Sequence, residues 1–342
     1  IRDRIKIIEG VDLYQDDIRE TFESSYVGKV INDYDNKQAF VAAILAYHRE
    51  LEGNVLDKWE VPTRKKDGGK YILPDVAASV KKVMEHKGID AADVEGLGVG
   101  VPGPVNEAGQ VPVAVNIGWG FVDVAKEMHA LTGLKVQAGN DANVAALGEM
   151  WKGGARGCRN VVLATLGTGV GGGIIIGGKV IAGSHGAGGE IGHIHVEDAE
   201  EEVCNCGNKG CLEQMASATG IVRLARRHLA ASDEPSLLRD KSKKLSAKLV
   251  FDAVKEGDAL ACEIADQFGW YLGKAFAQIA GVVDPEVFVL GGGVSKAGPI
   301  LIDYVRKYYL QYVFPTCREA NFVLAQLGND AGIYGAAKLV LE

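Results

Sequence analysis

The sequence predicts an α/β protein of two lobes, and three observations carry that reading. Short apolar runs alternate with stretches of helical spacing, the pattern of strands covered by helices. The alternation comes in two series, parted near Gly153 and Gly154. At 342 residues the chain exceeds what one core usually serves, and 47% hydrophobic against 24% charged residues is enough apolar material for two.

Residues 1–52 are charged and helical in texture, with 40–48 (FVAAILAYH) their one strongly apolar run. After the turn Gly53-Asn54, residues 55–61 alternate apolar and polar as a half-buried strand does, and 73–86 follow with helical spacing. Residues 96–101 read as a short apolar strand that stops at Pro102-Gly103-Pro104. A helix over 122–132 then leads to a strand over 135–139. Residues 141–151 repeat apolar positions at helical spacing behind Asn140-Asp141, either of which can cap a helix.

The second series opens at Asn160 with two β-branched strands around a glycine turn. Helices are expected near 219–231, 247–256 and 259–283, then a buried strand over 286–290 and a closing helix of small residues over 332–341.

Charge and hydropathy narrow the function. Lys+Arg 37 against Asp+Glu 45 gives a net charge of −8, and no basic block interrupts it, which disfavours a grip on nucleic-acid phosphates. Mean hydropathy is +0.04, yet no uninterrupted apolar run approaches the ~18 residues of a membrane span. The first ten residues, IRDRIKIIEG, lack the apolar core of a signal peptide, so the expected compartment is the cytoplasm. Small-molecule chemistry is the better expectation, with neither a nucleic acid nor a membrane as partner.

Six cysteines could make three disulfides, but Cys204, Cys206 and Cys211 crowd one short loop while the other three stand apart. Buried thiols that merely fill space have no reason to gather among Asn, Gly and Lys. Three thiolates on a glycine-bent loop, with His193 and His195 upstream as candidate fourth ligands, fit a tetrahedral zinc site. Four protein ligands leave no open position, so such a zinc shapes the loop and does not polarise a substrate.

Glycine, at 45 residues, is nearly twice average usage. The run Gly167-Thr168-Gly169-Val170-Gly171-Gly172-Gly173 lies between two apolar strands, where bare backbone N–H groups and a hydroxyl can approach phosphate oxygens. A simple hairpin turn is the alternative. A second cluster, Gly291-Gly292-Gly293, again directly after a strand, favours a nucleotide site. No Gly-Lys-Ser/Thr occurs, so neither run is a Walker loop.

Asn140-Asp141 closes a strand and opens a helix, where a carboxylate can serve either as a cap or as acceptor of a hydroxyl proton. Glu190, His193 and Glu213, close in sequence to the cysteine loop, add the acceptors that polyol recognition needs.

These segments together resemble a known family. Val101-Pro102-Gly103-Pro104, Gly139-Asn140-Asp141-Ala142-Asn143, Leu166-Gly167-Thr168-Gly169, Gly189-Glu190-Ile191-Gly192-His193, the run 204–213 and Leu290-Gly291-Gly292-Gly293-Val294 are similar to motifs of ROK-family glucokinases (repressor, open reading frame, kinase). The resemblance runs from about Gly53 to the C-terminus. It implies a two-lobed actin-like (ribonuclease H-like) sugar-kinase fold whose cleft closes over a hexose and a magnesium nucleotide. The implied lobes are a small one over 53–150 plus 328–342 and a large one over 151–327 carrying the zinc loop. The last helix is then expected to return to the first lobe.

The resemblance also implies roles. Asp141 is the general base for the 6-hydroxyl of glucose, and Asn140, Asp141, Glu190, His193 and Glu213 bind the sugar. Gly167, Thr168 and Gly169 cradle the phosphates of ATP, Gly291, Gly292 and Gly293 lie along its adenosine, and Mg2+ accompanies it. His193, Cys204, Cys206 and Cys211 hold structural zinc, and a homodimer or homotetramer is expected. The rival reading is a sensor or repressor of the same family that keeps the sugar and zinc sites without using ATP.

The front departs from the family pattern. Kinases of the family carry a strand, an Asp-x-Gly-x-Thr phosphate loop and a second strand just before the turn matched by Gly53-Asn54, whereas residues 29–52 contain no Gly, Ser or Thr. We read residues 1–52 as an unmatched segment standing where the loop belongs. The backbone there is expected still to trace strand, turn and strand, with 40–45 passing as one of the strands.

Overall fold

In the computed structural model the described residues are the backbone of 42–47, Val55, and 58–341 other than 241. The chain divides into two compact units, one of Ile1–Val144, Ala182–Ala187 and Gly332–Glu342, the other of Ala145–Ile181 and Gly188–Ala331.

Among the described residues, five strands belong to the first unit: β1 (Ala42–Tyr47), β2 (Val94–Val101), β3 (Gln110–Val111), β4 (Val122–Asp123) and β5 (Val136–Asn140). The sheet order is β1-β2-β5, with β1 antiparallel to β2 and β2 parallel to β5. Strands β3 and β4 form a separate two-stranded ribbon. Helices α1 (Ile72–Lys87) and α2 (Val124–Thr132) lay Ile72, Val76, Val124 and Met128 into a core with Leu97, Val99 and Val101 of β2. Asp123 starts α2 by accepting from the Lys126 N–H, and Gly133 ends it in a left-handed conformation.

Two expectations for the front are corrected. Residues 1–52 read as helical in texture, but 42–47 form a strand whose backbone groups are satisfied by β2, as the expectation of a strand over 40–45 allowed, and such pairing overrides an Ala-rich composition. Residues 58–61 alternate exposed and half-buried as expected, yet they form no strand, since alternation alone supplies no ladder partner. Trp59 instead donates from Nε1 to Ser79 Oγ of α1 at 3.3 Å. The phosphate turn and second strand expected within 46–52 fall outside the described residues, save that Ala46 and Tyr47 continue β1.

Helix α3 (Asp141–Lys152) follows β5 directly. The sheet of the second unit has the order β10-β9-β6-β7-β8, from β6 (Val161–Leu166), β7 (Val170–Ile176), β8 (Lys179–Val180), β9 (Val287–Gly291) and β10 (Asn321–Leu324). Strands β6, β9 and β10 run parallel, and all five residues of β9 are buried, as a central parallel strand requires. The remaining helices are α4 (Leu212–Ala216), α5 (Ala218–Ala231), α6 (Ala247–Lys255), α7 (Ala259–Val283), α8 (Ile300–Tyr312) and α9 (Ala331–Leu341). Phe276 of α7 stacks on Phe288 of β9 at 4.6 Å, and Phe288 stacks on Phe322 of β10 at 5.1 Å, which locks the long helix onto the sheet.

Glu149 of α3 is fully buried, and its carboxylate accepts from the N–H groups of Gly154, Gln326 and Leu327 at 2.8 to 3.1 Å. Helix α9 lies on β2 so closely that a Cβ at Gly98 would stand 1.9 Å from the Ala336 carbonyl oxygen, and only glycine permits that approach.

Candidate active site

Strands β6 and β9 are parallel neighbours with Thr165 opposite Gly291, so both glycine clusters emerge from the same end of one sheet. That end of a parallel pair, beyond the carboxyl termini of the strands, is where open α/β sheets bind ligands. Gly292 turns the chain with φ +79°, and its carbonyl accepts from Ser295 Oγ at 2.7 Å.

The loop Gly167-Thr168-Gly169 between β6 and β7 is held from the side by α5. The Ala218 N–H donates to the Gly167 carbonyl at 2.8 Å, and Thr219 Oγ1 donates to the Thr168 carbonyl at 2.6 Å. Glu213 of α4 presses on the same loop, since a Cβ at Gly169 would stand 2.3 Å from Glu213 Oε2. Thr219 and its neighbour Ser217 were not anticipated as functional, although a Ser directly before a helical pattern is a readable cap signal.

The cysteine loop folds as two short bridges, His195 opposite Cys211 and Val203 opposite Lys209. It brings the candidate ligand atoms of His193, Cys204, Cys206 and Cys211 within 4.8 Å of one another. His195, the other candidate fourth ligand, is excluded from the group. Its Nε2 pairs with Asp198 at 2.7 Å and its Nδ1 with the Lys209 carbonyl at 2.9 Å.

The fit to a metal can be tested on distances. Cys206 Sγ lies 3.6 Å from Cys211 Sγ, and Cys204 Sγ lies 3.8 Å from His193 Nδ1. A tetrahedral zinc with sulfur bonds of ~2.3 Å has edges of ~3.8 Å, so the cluster fits.

Electrostatics at the thiols are uneven. Burial, the Glu213 carboxylate and the neighbouring Cys206 push the Cys204 thiol up, and Cys204 Sγ donates to Glu213 Oε1 at 3.0 Å. Burial and Cys206 raise Cys211 as well. Burial opposes ionisation of Cys206, but the Asn208 N–H and the two other thiols outweigh it and hold this thiol below its ordinary range. A metal bound here must displace the proton that Glu213 now accepts.

His193 turns its other nitrogen, Nε2, toward Glu190 Oε2 at 3.9 Å. One imidazole thus joins the cysteine cluster to the carboxylate of the preceding turn, and Glu190, His193 and Glu213 all lie with the cysteine loop in the second unit.

Asn140 and Asp141 belong to the first unit. Asn140 is buried, and its Oδ1 accepts from the N–H groups of Ala142 and Asn143 at 3.0 and 3.1 Å, which caps α3. Its amide donates once to the Gly103 carbonyl at 2.9 Å, leaving one N–H for an acceptor such as a sugar hydroxyl. Asp141 is exposed and also accepts from the Ala142 N–H at 2.8 Å.

Comparisons with known proteins agree with this arrangement. The chain is 42% identical over 321 residues to the glucokinase of Halalkalibacterium halodurans, covering 93% of this chain and 95% of that one. It is 36% identical over 296 residues to the glucokinase of Thermotoga maritima, covering 85% and 92%. The crystal structure of a ROK family glucokinase from Streptomyces griseus with glucose and AMPPNP superposes with a TM-score of 0.67 at 33% identity, covering 88% and 99%. The fold class is therefore that of the actin-like ROK sugar kinases. At the front, the phage tail sheath C-terminal domain matches residues 3–56. The ROK family matches residues 41–342, from a point earlier than Gly53, and with nearly the whole chain inside that match the protein belongs to the ROK family.

Proposed function

We propose that this chain is a glucokinase, which transfers the γ-phosphoryl group of ATP to the 6-hydroxyl of glucose. The observation that carries the reading is the contact of Glu213 with Gly169. It sets a carboxylate suited to a sugar hydroxyl directly against a loop suited to phosphate. The glucokinase relatives support the same reading.

On this reading Asp141 accepts the proton of the 6-hydroxyl as that oxygen bonds to the γ-phosphorus, and the bond to ADP breaks. Asn140, Glu190, His193 and Glu213 hold the remaining hydroxyls. Gly167, Thr168 and Gly169 take the phosphates, and Gly291, Gly292 and Gly293 take the adenosine. Mg2+ bound with ATP supplies charge neutralisation at the transferring group. The catalytic gain is otherwise one of positioning.

His193, Cys204, Cys206 and Cys211 hold one structural zinc, which orders the loop that ends at Glu213. All six cysteines are unpaired thiols, in keeping with a reducing cytoplasm, where ATP is supplied. Among the described residues no helix is long and apolar enough to cross a membrane. We assign a homodimer or homotetramer, which sedimentation of the purified protein tests.

A second reading is favoured by the front of the chain. Residues 29–52 contain no Gly, Ser or Thr, and residues 3–56 match a different family. A chain without a first phosphate turn keeps the sugar site as a sensor and transfers nothing. ADP release coupled to glucose, measured across hexoses, separates the two: glucose-dependent turnover supports the kinase, and glucose binding with no turnover supports the sensor.

A further inference from the structure

The loop Gly167-Thr168-Gly169 owes its orientation to a relay of hydroxyls at the start of α5. Ser217 is fully buried, and its Oγ accepts from the Gly220 N–H at 2.9 Å while lying 2.8 Å from Thr219 Oγ1. Thr219 has one hydroxyl proton and gives it to the Thr168 carbonyl at 2.6 Å. Ser217 must therefore donate to Thr219, and the relay runs in one direction, from the Gly220 N–H through both hydroxyls to the loop.

The consequence follows from peptide geometry. In a trans peptide the carbonyl of one residue and the N–H of the next point in opposite directions. With the Gly167 carbonyl drawn to the Ala218 N–H and the Thr168 carbonyl drawn to Thr219, the N–H groups of Thr168 and Gly169 both face away from α5. Adjacent N–H groups turned to one side form a concavity for an anion.

We propose that Thr219, supported by Ser217, is a positioning residue for the nucleotide: it touches neither phosphate nor sugar, and it presets the N–H groups that receive the phosphates. This rests on the glucokinase reading of the same loop. The role is separable from sugar binding, because Glu213 reaches the loop from α4 and does not depend on the Thr219 hydroxyl.

The test is calorimetric binding of Mg·AMPPNP and of glucose to the full chain, with steady-state kinetics alongside. Thr219→Val keeps shape and removes the hydroxyl, and Thr219→Ser restores it. Thr219 is exposed, so the fold tolerates both changes. We expect Val to weaken Mg·AMPPNP about tenfold and to raise KM for ATP by a similar factor, with glucose affinity within about twofold of the parent; one lost hydrogen bond has that size. Ser is expected to return the nucleotide affinity. A Val variant that binds Mg·AMPPNP as the parent does, or that loses both ligands equally, overturns the positioning role alone. A parent chain that binds glucose and no Mg·AMPPNP overturns the phosphate-loop reading, and the positioning role with it.

Discussion

Two adjacent side chains at the start of α3 divide the work that one could do. Asn140 caps the helix through Oδ1, so the helix start does not depend on the Asp141 carboxylate, although the Ala142 N–H donates to both. Asp141→Asn is therefore expected to leave the thermal midpoint and glucose binding near the parent values while lowering turnover by about 100-fold or more, since an amide cannot take the proton. Unchanged turnover would reduce Asp141 to a second cap. Glu149 shows the opposite balance, a fully buried carboxylate spent on structure. Glu149→Gln sets an amide NH2 against the backbone N–H of Gln326 and that of either Gly154 or Leu327, at a cost of ~2–3 kcal/mol. Thermal melting reads it, and a midpoint equal to the parent's refutes the assignment.

At the scale of elements, the cysteine loop is tied down on both sides. Tyr271 of α7 donates to Glu197, and the side chain of Glu200, 1% exposed, pairs with Arg223 and Arg227 of α5 at 3.3 and 3.0 Å. The bond from Tyr271 holds the Glu197 carboxyl below the usual carboxylate range. Burial opposes ionisation of Glu200, but the Glu202 N–H and Arg227 outweigh it, and its carboxyl is also held low. Folding thus sheds protons from both groups, so their stabilisation is complete above the ordinary carboxylate range and is lost as pH falls through the lowered values. The gap in thermal midpoint between the parent and Glu200→Gln should be widest near neutrality and close as pH falls below the ordinary carboxylate range, where the paired carboxylates take up protons. A gap independent of pH would show that the ion pairs contribute nothing. The loop itself should hold one zinc per chain, and chelation or Cys206→Ser should lower glucose affinity and melting temperature together. Substoichiometric zinc in every preparation, by metal analysis, would sink that assignment.

For the molecule as a whole, the front of the chain is where the sequence departs from a sugar kinase, since residues 29–52 contain no Gly, Ser or Thr. Strand β1 is paired to β2 within the ROK match, while residues 3–56 also match the phage tail sheath domain. We expect preparations that phosphorylate glucose to carry a glycine- and hydroxyl-bearing turn in place of 29–52, because the two glycine loops of the second unit have little use without a first phosphate contact. Intact mass and peptide sequencing, set beside an ATP-dependent assay, decide it. Active protein whose peptides match 29–52 as written overturns the expectation, and inactive protein with those peptides favours the sensor.

Most elements were legible in the sequence because local periodicity encodes them. The helix expected at 259–283 is α7 with the same bounds, and the first strand lies where its β-branched run put it, but β7 begins at Val170, so Gly171, Gly172 and Gly173, expected in the turn, are paired to β6 and only 167–169 turn the chain. The cysteine spacing announced a cluster of thiols able to hold a metal, since three cysteines so close in the chain need little help from the rest of the fold to meet. Tertiary structure alone decided what depends on pairing or on the far side of a hydrogen bond. It paired β1 with β2 and left 58–61 outside any strand, because alternation marks a half-buried strand without naming its neighbour. It chose His193 over His195, because both ring nitrogens of His195 face acceptors, Asp198 and a carbonyl that only the folded loop brings near, so they donate protons there and offer a metal no lone pair. It also brought Thr219 to Thr168 across 51 residues of chain, a contact that no local pattern can announce.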